Sequence, residues 1–268
     1  MRPDAPLPVA KVIGLGFVAG FLSGLFGVGG GILIVPMLVL LLGMDQRRAH
    51  GTSLAAVLPI AVAGVIGFAL EDSVDWPATA ALVAGAMAGA VIGTHALHVL
   101  PTRVLGYAFA AVLLASAIRL VVDQSEGAGR GDFDVAMALG LALLGLVAGT
   151  LAGLLGVGGG IVMVPAMILF FGIPAAVAKG TSLAVIIPTS VVGTRRNLRK
   201  GNCDLRIATI VGFAGVVSAF AASKISVNLD EQLSNVLFSA LLSIVAIRMF
   251  VTTRRGAAAE AEQAPTTT

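Results

Sequence analysis

Two runs of glycine are the residues of this chain with the clearest capacity for chemistry. They lie within Gly24–Pro36 and Gly153–Pro165, 129 residues apart, and both contain Gly-Val-Gly-Gly-Gly-Ile. Consecutive backbone N–H groups in a glycine-rich turn that leads into a helix form a concave site for an anion. The two runs therefore predict oxyanion sites built from backbone. The competing explanation is that the glycines only allow close packing of helices.

Polar side chains in a second repeated motif could complete such sites. A Gly-Thr-Ser-Leu segment follows each run, at Gly51–Leu54 and Gly180–Leu183. We place its hydroxyl groups at the starts of two further helices, where helix capping is their alternative role. The predicted substrate-binding residues are the glycines, the hydroxyls and the ionisable residue before each motif: Gly29, Gly30, Gly31, His50, Thr52, Ser53, Gly158, Gly159, Gly160, Lys179, Thr181 and Ser182.

Lys179 and His50 hold equivalent positions, each directly before Gly-Thr-Ser. A charged side chain at the centre of a bilayer costs several kcal/mol unless it is paired or hydrated. We therefore predict that Lys179 supplies positive potential at an anion site, with His50 as a weaker counterpart that titrates with pH. The alternative is a lysine that reaches the lipid headgroups from a loop.

The composition places these motifs in a membrane. Hydrophobic residues make up 57% of the chain and charged residues 12%, with a mean hydropathy of +1.01. A soluble domain has about 25% charged residues. The net charge of +3 does not indicate nucleic-acid binding, because the Lys and Arg residues lie in short loops, where they report membrane topology. A glycine break at membrane depth is tolerated only where protein buries it or it lines a cavity.

The chain consists of two tandem repeats. From Gly20 to Gly64, 23 of 45 positions are identical to the residue 129 further on. Small residues at every fourth position, as at Gly16, Gly20 and Gly24, predict close contact between helices. The 12 residues after the first break would form a helix of about 18 Å, too short for a hydrocarbon core of about 30 Å.

These patterns predict an all-α polytopic membrane protein in which each repeat has a glycine-broken first helix and three further helices. The predicted segments are an N-terminal tail, a first membrane repeat, a linker, a second membrane repeat and a disordered C-terminal tail: 1–8, 9–122, 123–134, 135–252 and 253–268.

Equivalent loops of the two repeats carry opposite charge. Glu71, Asp72 and Asp75 align with the segment at 200–204, which is flanked by Arg195, Arg196 and Arg199. Cytoplasmic loops collect Lys and Arg. We therefore predict inverted repeats, with both termini and the loop at 195–206 in the cytoplasm. A plain scheme of eight spans places the same segments in the cytoplasm and is the alternative.

The motif Gly-x-Gly-Gly-Gly-x-x-x-x-Pro followed by Gly-Thr-Ser-Leu, twice in one membrane chain, resembles the TauE/SafE family of sulfite exporters. The resemblance covers roughly residues 9–252. It implies a secondary transporter that exports a small sulfur-containing anion, sulfite or an organosulfonate such as sulfoacetate. It also implies a prokaryotic-type plasma membrane and no bound cofactor.

Catalysis finds little support in the residues. A hydrolase needs a nucleophile with its base, or a metal cluster, and the chain has one cysteine, Cys203, and three scattered histidines. We predict neither an enzyme nor a metal site. An importer or channel for another small anion, and a membrane scaffold that transports nothing, are the alternatives. The expected partners are the anion and the lipid bilayer but not nucleic acid, and a homo-oligomer is left open.

Overall fold

The computed structural model describes residues 9–96, 133–155 and 159–262, with a few helical positions between 107 and 118. Most of the predicted fourth helix, at 101–122, and of the linker, as well as the tail at 1–8 and residues 263–268, lie outside the described residues. In the described part the helices are α1 (Val9–Phe26), α2 (Gly31–Leu42), α3 (Gln46–Ala69), α4 (Trp76–Ala96), α5 (Val135–Leu155), α6 (Gly160–Phe171), α7 (Ala175–Arg199), α8 (Leu205–Asn228) and α9 (Glu231–Glu262).

Four of these helices, α1, α3, α7 and α8, are long and apolar enough to cross a membrane. Their outward faces carry large apolar side chains such as Phe17, Phe21, Phe213 and Val217. Exposed apolar faces of this kind suit lipid, because lipid tails are as apolar as the side chains themselves. The short helices α2 and α6 have 12 residues each. The predicted all-α polytopic class is confirmed.

The two repeats pack on each other reciprocally. The helix α1 lies along α8, and its counterpart α5 lies along α4. A β-carbon added at Gly20 would clash with the carbonyl oxygen of Gly215, and one at Gly145 would clash with that of Leu82. Only residues without a side chain allow helices to approach so closely. The packing role predicted for Gly16, Gly20 and Gly24 is confirmed, because an added β-carbon at each would meet α8 backbone.

The equivalent helices α3 and α7 run antiparallel. The contacts of added β-carbons at their glycines show this direction. In α3, Gly51 near the N-terminus would meet residues 197 and 202 at the C-terminal end of α7, and Gly64 further along would meet residue 183. In α7, Gly180 near the N-terminus would meet residues 68 and 73 at the C-terminal end of α3. The N-terminus of each helix therefore lies at the C-terminus of the other. Two equivalent membrane-spanning helices that run in opposite directions define an inverted repeat, so the predicted inversion is confirmed.

This antiparallel pair gives the molecule a basic end and an acidic end. The basic end comprises residues 43–50 and 195–206, and the acidic end comprises residues 70–75 and 172–178. An ion pair joins the repeats at each end: Arg48 with Asp204 at 2.9 Å, and Lys224 with Glu71 at 2.5 Å. Exposed ion pairs contribute about 0–1 kcal/mol to stability. These two pairs therefore show that the repeats are in contact at each end but add little to the stability of the protein.

Three helix boundaries differ from expectation. The predicted start of a helix at Gly51 is wrong, because α3 begins at Gln46, where the Asp45 carboxylate accepts a hydrogen bond from the Arg47 N–H. The second copy behaves in the same way, since α7 begins at Ala175 after Pro174. The Gly-Thr-Ser hydroxyls thus lie inside helices. The helix α9 continues to Glu262, past residue 253, where alanine and glutamate favour helix.

The contact between α1 and α8 generates a stability prediction. Gly20→Ala should destabilise the protein by about 1–3 kcal/mol, because the added methyl group overpacks two backbones already in contact. Thermal unfolding in detergent measures the effect. Gly14→Ala is the matched control on the same helix, since an added β-carbon there has nothing within 4 Å. Equal melting temperatures for the two variants would contradict the packing described here.

Candidate functional site

The first glycine run reverses the direction of the chain inside the protein. Gly27, Gly29 and Gly30 have φ angles of 69°, 79° and 69°. Glycine adopts this left-handed region without the steric cost that other residues incur. An added β-carbon at Gly30 would lie 2.9 Å from the carbonyl oxygen of Ala19, so the chain turns back onto α1. The first unit is therefore a re-entrant break between α1 and α2.

This turn lies at mid-length of the α3–α7 pair. An added β-carbon at Gly29 would be 2.8 Å from Ile186 Cδ1 and 3.4 Å from Val57 Cγ1. Val57 and Ile186 are equivalent positions in the two repeats. Val57 is near the middle of the 24 residues of α3. The break thus lies close to the pseudo-two-fold axis, about halfway through the molecule.

The start of α6 meets the first break at this level. An added β-carbon at Gly160, the first residue of α6, would be 2.9 Å from the carbonyl oxygen of Gly27 and 3.0 Å from the Cα of Val28. The N-terminus of α6 therefore rests on the turn that leads into α2. Gly158 lies outside the described residues, and Gly159 has a right-handed φ of −66°.

Both short helices begin with backbone donors that the helix itself does not use. Gly30 O accepts from the N–H groups of Leu33 and Ile34, and Gly159 O accepts from those of Val162 and Met163. The first two N–H groups of each helix have no acceptor among the described residues: Gly31, Ile32, Gly160 and Ile161. Such groups carry the partial positive charge of a helix N-terminus.

The threonines of the repeated Gly-Thr-Ser tie the repeats together. Thr52 Oγ1 accepts a hydrogen bond from the Asp204 N–H at 2.9 Å, and Thr181 Oγ1 accepts one from the Asp75 N–H at 3.0 Å. The glycine before each threonine lets the loop approach, since a β-carbon at Gly51 would meet the carbonyl oxygen of Asn202. We call these two contacts the basic seam (Thr52–Asp204) and the acidic seam (Thr181–Asp75).

Each seam also begins the next helix. The carboxylate of Asp204 accepts from the Ile207 N–H at 3.2 Å, and that of Asp75 accepts from the Ala78 N–H at 3.0 Å. An acceptor at the N-cap stabilises a helix by about 1 kcal/mol. The two aspartates were not among the predicted site residues. Their equivalence across the repeats was the signal in the sequence that marked them.

The serines of the motif lie deeper. Ser53 and Ser182 are buried, with 1% and 0% of their surface exposed. Ser182 Oγ has no hydrogen-bond partner among the described residues, and neither does the buried Ser23 Oγ of α1. Burying an unpaired hydroxyl costs about 1–3 kcal/mol. An added β-carbon at Gly160 would lie 2.8 Å from Ser182 Oγ, so this hydroxyl faces the start of α6.

Lys179 is buried, with 1% of its surface exposed. Its Nζ donates to Ser226 Oγ at 3.1 Å and to Ser234 Oγ at 2.6 Å, on α8 and α9. The alternative prediction, in which the Lys179 side chain reaches the lipid headgroups from a loop, is therefore wrong. The equivalent His50 is partly buried at the basic end. The Lys179 backbone also contacts Gly27 of the first break, whereas His50 lies toward the basic end.

Of the predicted site residues, the structure brings Ser182 next to Gly160, and Gly160 rests on Gly27 and Val28 of the turn that contains Gly29 and Gly30. It places Thr52 and Thr181 in the two seams. Ser226 and Ser234, which contact Lys179, had no signal in the sequence. In the repeated Gly-Thr-Ser motif, the glycine therefore allows the neighbouring loop to approach, the threonine accepts the seam hydrogen bond, and the serine is buried in the interior.

Cys203 lies in the loop between α7 and α8, next to Asp204. The reactivity of its thiol is therefore a probe of the basic seam. Partial burial raises the pKa of its thiol above the ordinary value, the Asp204 carboxylate raises the pKa further, and Arg48 lowers it. Since the thiolate is the reactive form, the thiol reacts slowly at neutral pH and faster as pH rises.

A separate apolar groove of about 520 Å³ opens between α3 and α8. Exposed residues such as Val62, Ile66 and Phe213 line it. Its one polar side chain, Thr209, bonds to the carbonyl oxygen of Leu205 in its own helix. The groove therefore offers lipid an apolar surface and offers an anion no donor.

Inverted repeats with broken helices that meet at mid-depth are the architecture of membrane transporters. The chain belongs to the sulfite exporter TauE/SafE family, whose profile matches residues 2–120 and 141–268. The two matched segments correspond to the two repeats.

Several curated relatives span nearly the whole chain. One is the probable membrane transporter protein YunE of Bacillus subtilis, 25% identical over 87% of this chain and 92% of its own length. Another, from Methanocaldococcus jannaschii, is 25% identical over 91% of this chain and 96% of its own length. A third, from Xylella fastidiosa, is 28% identical over 88% and 92%. All three are described as probable membrane transporter proteins, and our chain is likewise a multi-pass membrane transporter.

The two seams generate a labelling prediction. Thr52→Val removes the acceptor of the Asp204 N–H, which costs about 1–3 kcal/mol, and should loosen the loop that holds Cys203. Maleimide should then label Cys203 several-fold faster than in the native protein, and the rate should rise with pH in both. Greater exposure also lowers the pKa of the thiol toward its ordinary value, which acts in the same direction.

Thr181→Val is the matched control, because it opens the equivalent contact at the acidic seam, far from Cys203. Its labelling rate should equal that of the native protein, and Thr52→Ser should keep the native rate because the hydroxyl is retained. Equal acceleration by both valine variants would mean that the seams are not independent contacts.

Proposed function

We propose that this transporter is a secondary carrier that moves a small sulfur-containing anion, sulfite or an organosulfonate, out of the cell across the plasma membrane. The observation that carries the proposal is the meeting of the two helix breaks at mid-length of the α3–α7 pair. Two helix N-termini begin at this point, and helix N-termini favour anions. Membership of the sulfite exporter family supports the same substrate class.

We infer that the basic end faces the cytoplasm. Within the described residues it holds Arg47, Arg48, Arg195, Arg196, Arg199, Lys200 and Arg206. The acidic end holds Glu71, Asp72 and Asp75. Cytoplasmic loops carry the excess of Lys and Arg. Since α1 begins at the basic end and α9 runs toward it, both termini are assigned to the cytoplasm.

The seams suggest how such a carrier alternates its access. Each seam closes one end of the molecule by a single hydroxyl and a close glycine contact. Opening the basic seam would admit an anion from the cytoplasm, and opening the acidic seam would release it outside. Because the seams are equivalent by symmetry, the two open states would differ little in energy, as a carrier requires. The proposed cycle makes and breaks no covalent bond.

A transport assay on glycine variants tests the proposal. Gly160→Ala should lower sulfite efflux from proteoliposomes roughly ten-fold or more, equivalent to about 1.4 kcal/mol. The added methyl group would press on the Gly27 carbonyl and on Ser182. Gly14→Ala in α1 is the control, because an added β-carbon there has nothing within 4 Å and transport should stay at the native level.

The direction and amount of anion transport in this assay distinguish an exporter from an importer and from a scaffold. Native protein that moves no anion in either direction would support the scaffold, and uptake that exceeds efflux under equal gradients would support an importer. Equal transport by Gly160→Ala and the native protein would remove the glycine breaks from the mechanism.

Labelling of intact cells tests the orientation. A membrane-impermeant maleimide should spare Cys203 and should label Asp72→Cys on a Cys203→Ser background, because Asp72 is exposed at the acidic end. Permeabilised cells provide the control, in which both sites should react. Labelling of Cys203 in intact cells would reverse the assignment of inside and outside.

A further inference from the structure

The hydroxyl of Ser182 is the most informative polar group that the fold itself does not use. It is fully buried, and Ser182 Oγ has no hydrogen-bond partner among the described residues. Buried polar groups in native proteins are almost always paired, so an exception calls for an explanation. Other buried hydroxyls show that pairing is easily arranged: those of Ser218 and Ser223 both donate to backbone carbonyls.

Ser182 Oγ faces the N-terminus of α6. The β-carbon position at Gly160 is 2.8 Å from this oxygen. The N–H groups of Gly160 and Ile161 have no acceptor among the described residues, and α6 has 12 residues, enough for a full helix dipole. The Ser182 hydroxyl therefore lies beside the helix end that carries these two backbone donors.

The surroundings of this helix end restrict what it can bind. Val28, Ile161 and Ile186, next to Gly160 or the turn, are each at most 2% exposed. The Gly27 carbonyl oxygen lies on the side of the turn, 2.9 Å from the same β-carbon position. An oxygen of the ligand can thus accept from Ser182 and the helix N-terminus, while the rest of the ligand lies against apolar side chains. The energy of desolvating an ion grows with the square of its charge.

We infer that Ser182 and the first turn of α6 form the recognition site for one oxygen of a monoanionic oxyanion, with sulfonates preferred over doubly charged sulfate. The inference rests on the proposed function and names the residue that selects its substrate. A sodium ion would find acceptors in Ser182 Oγ and Gly27 O, but the positive end of α6 opposes a cation there.

Binding to the purified protein in detergent tests this site with two matched probes. Methanesulfonate and sulfate have the same tetrahedral shape, and a methyl group in one replaces an oxygen in the other. Isothermal titration should give methanesulfonate at least ten-fold tighter binding than sulfate. Ser182→Ala should weaken methanesulfonate binding about ten-fold, the loss of a hydrogen bond to a charged group.

The stability of the ligand-free variant separates recognition from structure. Removing an unpaired buried hydroxyl should leave the melting temperature of Ser182→Ala unchanged or raised, whereas a structural serine would lower it. Ser223→Ala is the control for a buried serine, since its hydroxyl donates to Phe220 O within α8. It should bind methanesulfonate as the native protein does.

Three results would overturn the inference: native affinity in Ser182→Ala, sulfate bound as tightly as methanesulfonate, or stabilisation by sodium chloride alone to the level that sodium methanesulfonate gives. Sulfite efflux by the native protein is measured in parallel. If efflux occurs while Ser182→Ala binds normally, only the recognition site fails. If the native protein moves no sulfite, the proposed function fails as well.

Discussion

A hydrogen bond between the repeats, made once at each end of the molecule, is the contact on which this architecture depends. In each case a threonine hydroxyl inside one helix accepts the N–H of an aspartate that begins a helix in the other repeat. The aspartate then caps that helix with its carboxylate. In an apolar chain a backbone group without a partner is costly, so each repeat completes the backbone of the other. Neither repeat alone has this partner.

The antiparallel pair α3 and α7 carries this exchange and creates the centre of the molecule. The first re-entrant break and the start of α6 meet near the midpoint of this pair. Glycines at the contact remove the side chains that would hold the breaks apart. The start of α6, with its unused backbone donors, therefore lies buried against the turn that leads into α2.

The same symmetry bears on transport. Two equivalent seams give two equivalent ends, so the molecule has no built-in preference for closing one end over the other. Charge breaks this equivalence: the basic end collects arginine and the acidic end collects carboxylates. The interior breaks it again, since Lys179 on one side is matched by His50 on the other.

The sequence by itself determined the class, the repeats and the place of the glycine breaks, because hydropathy and glycine act locally. It also indicated the inversion through loop charge. Only the tertiary structure decided what each polar residue contacts. Thr52 and Asp204 are 152 residues apart, and Lys179 meets serines 47 and 55 residues away. A motif such as Gly-Thr-Ser shows that hydroxyls are present, but their partners come from another repeat, and no local pattern specifies the register in which two helices cross.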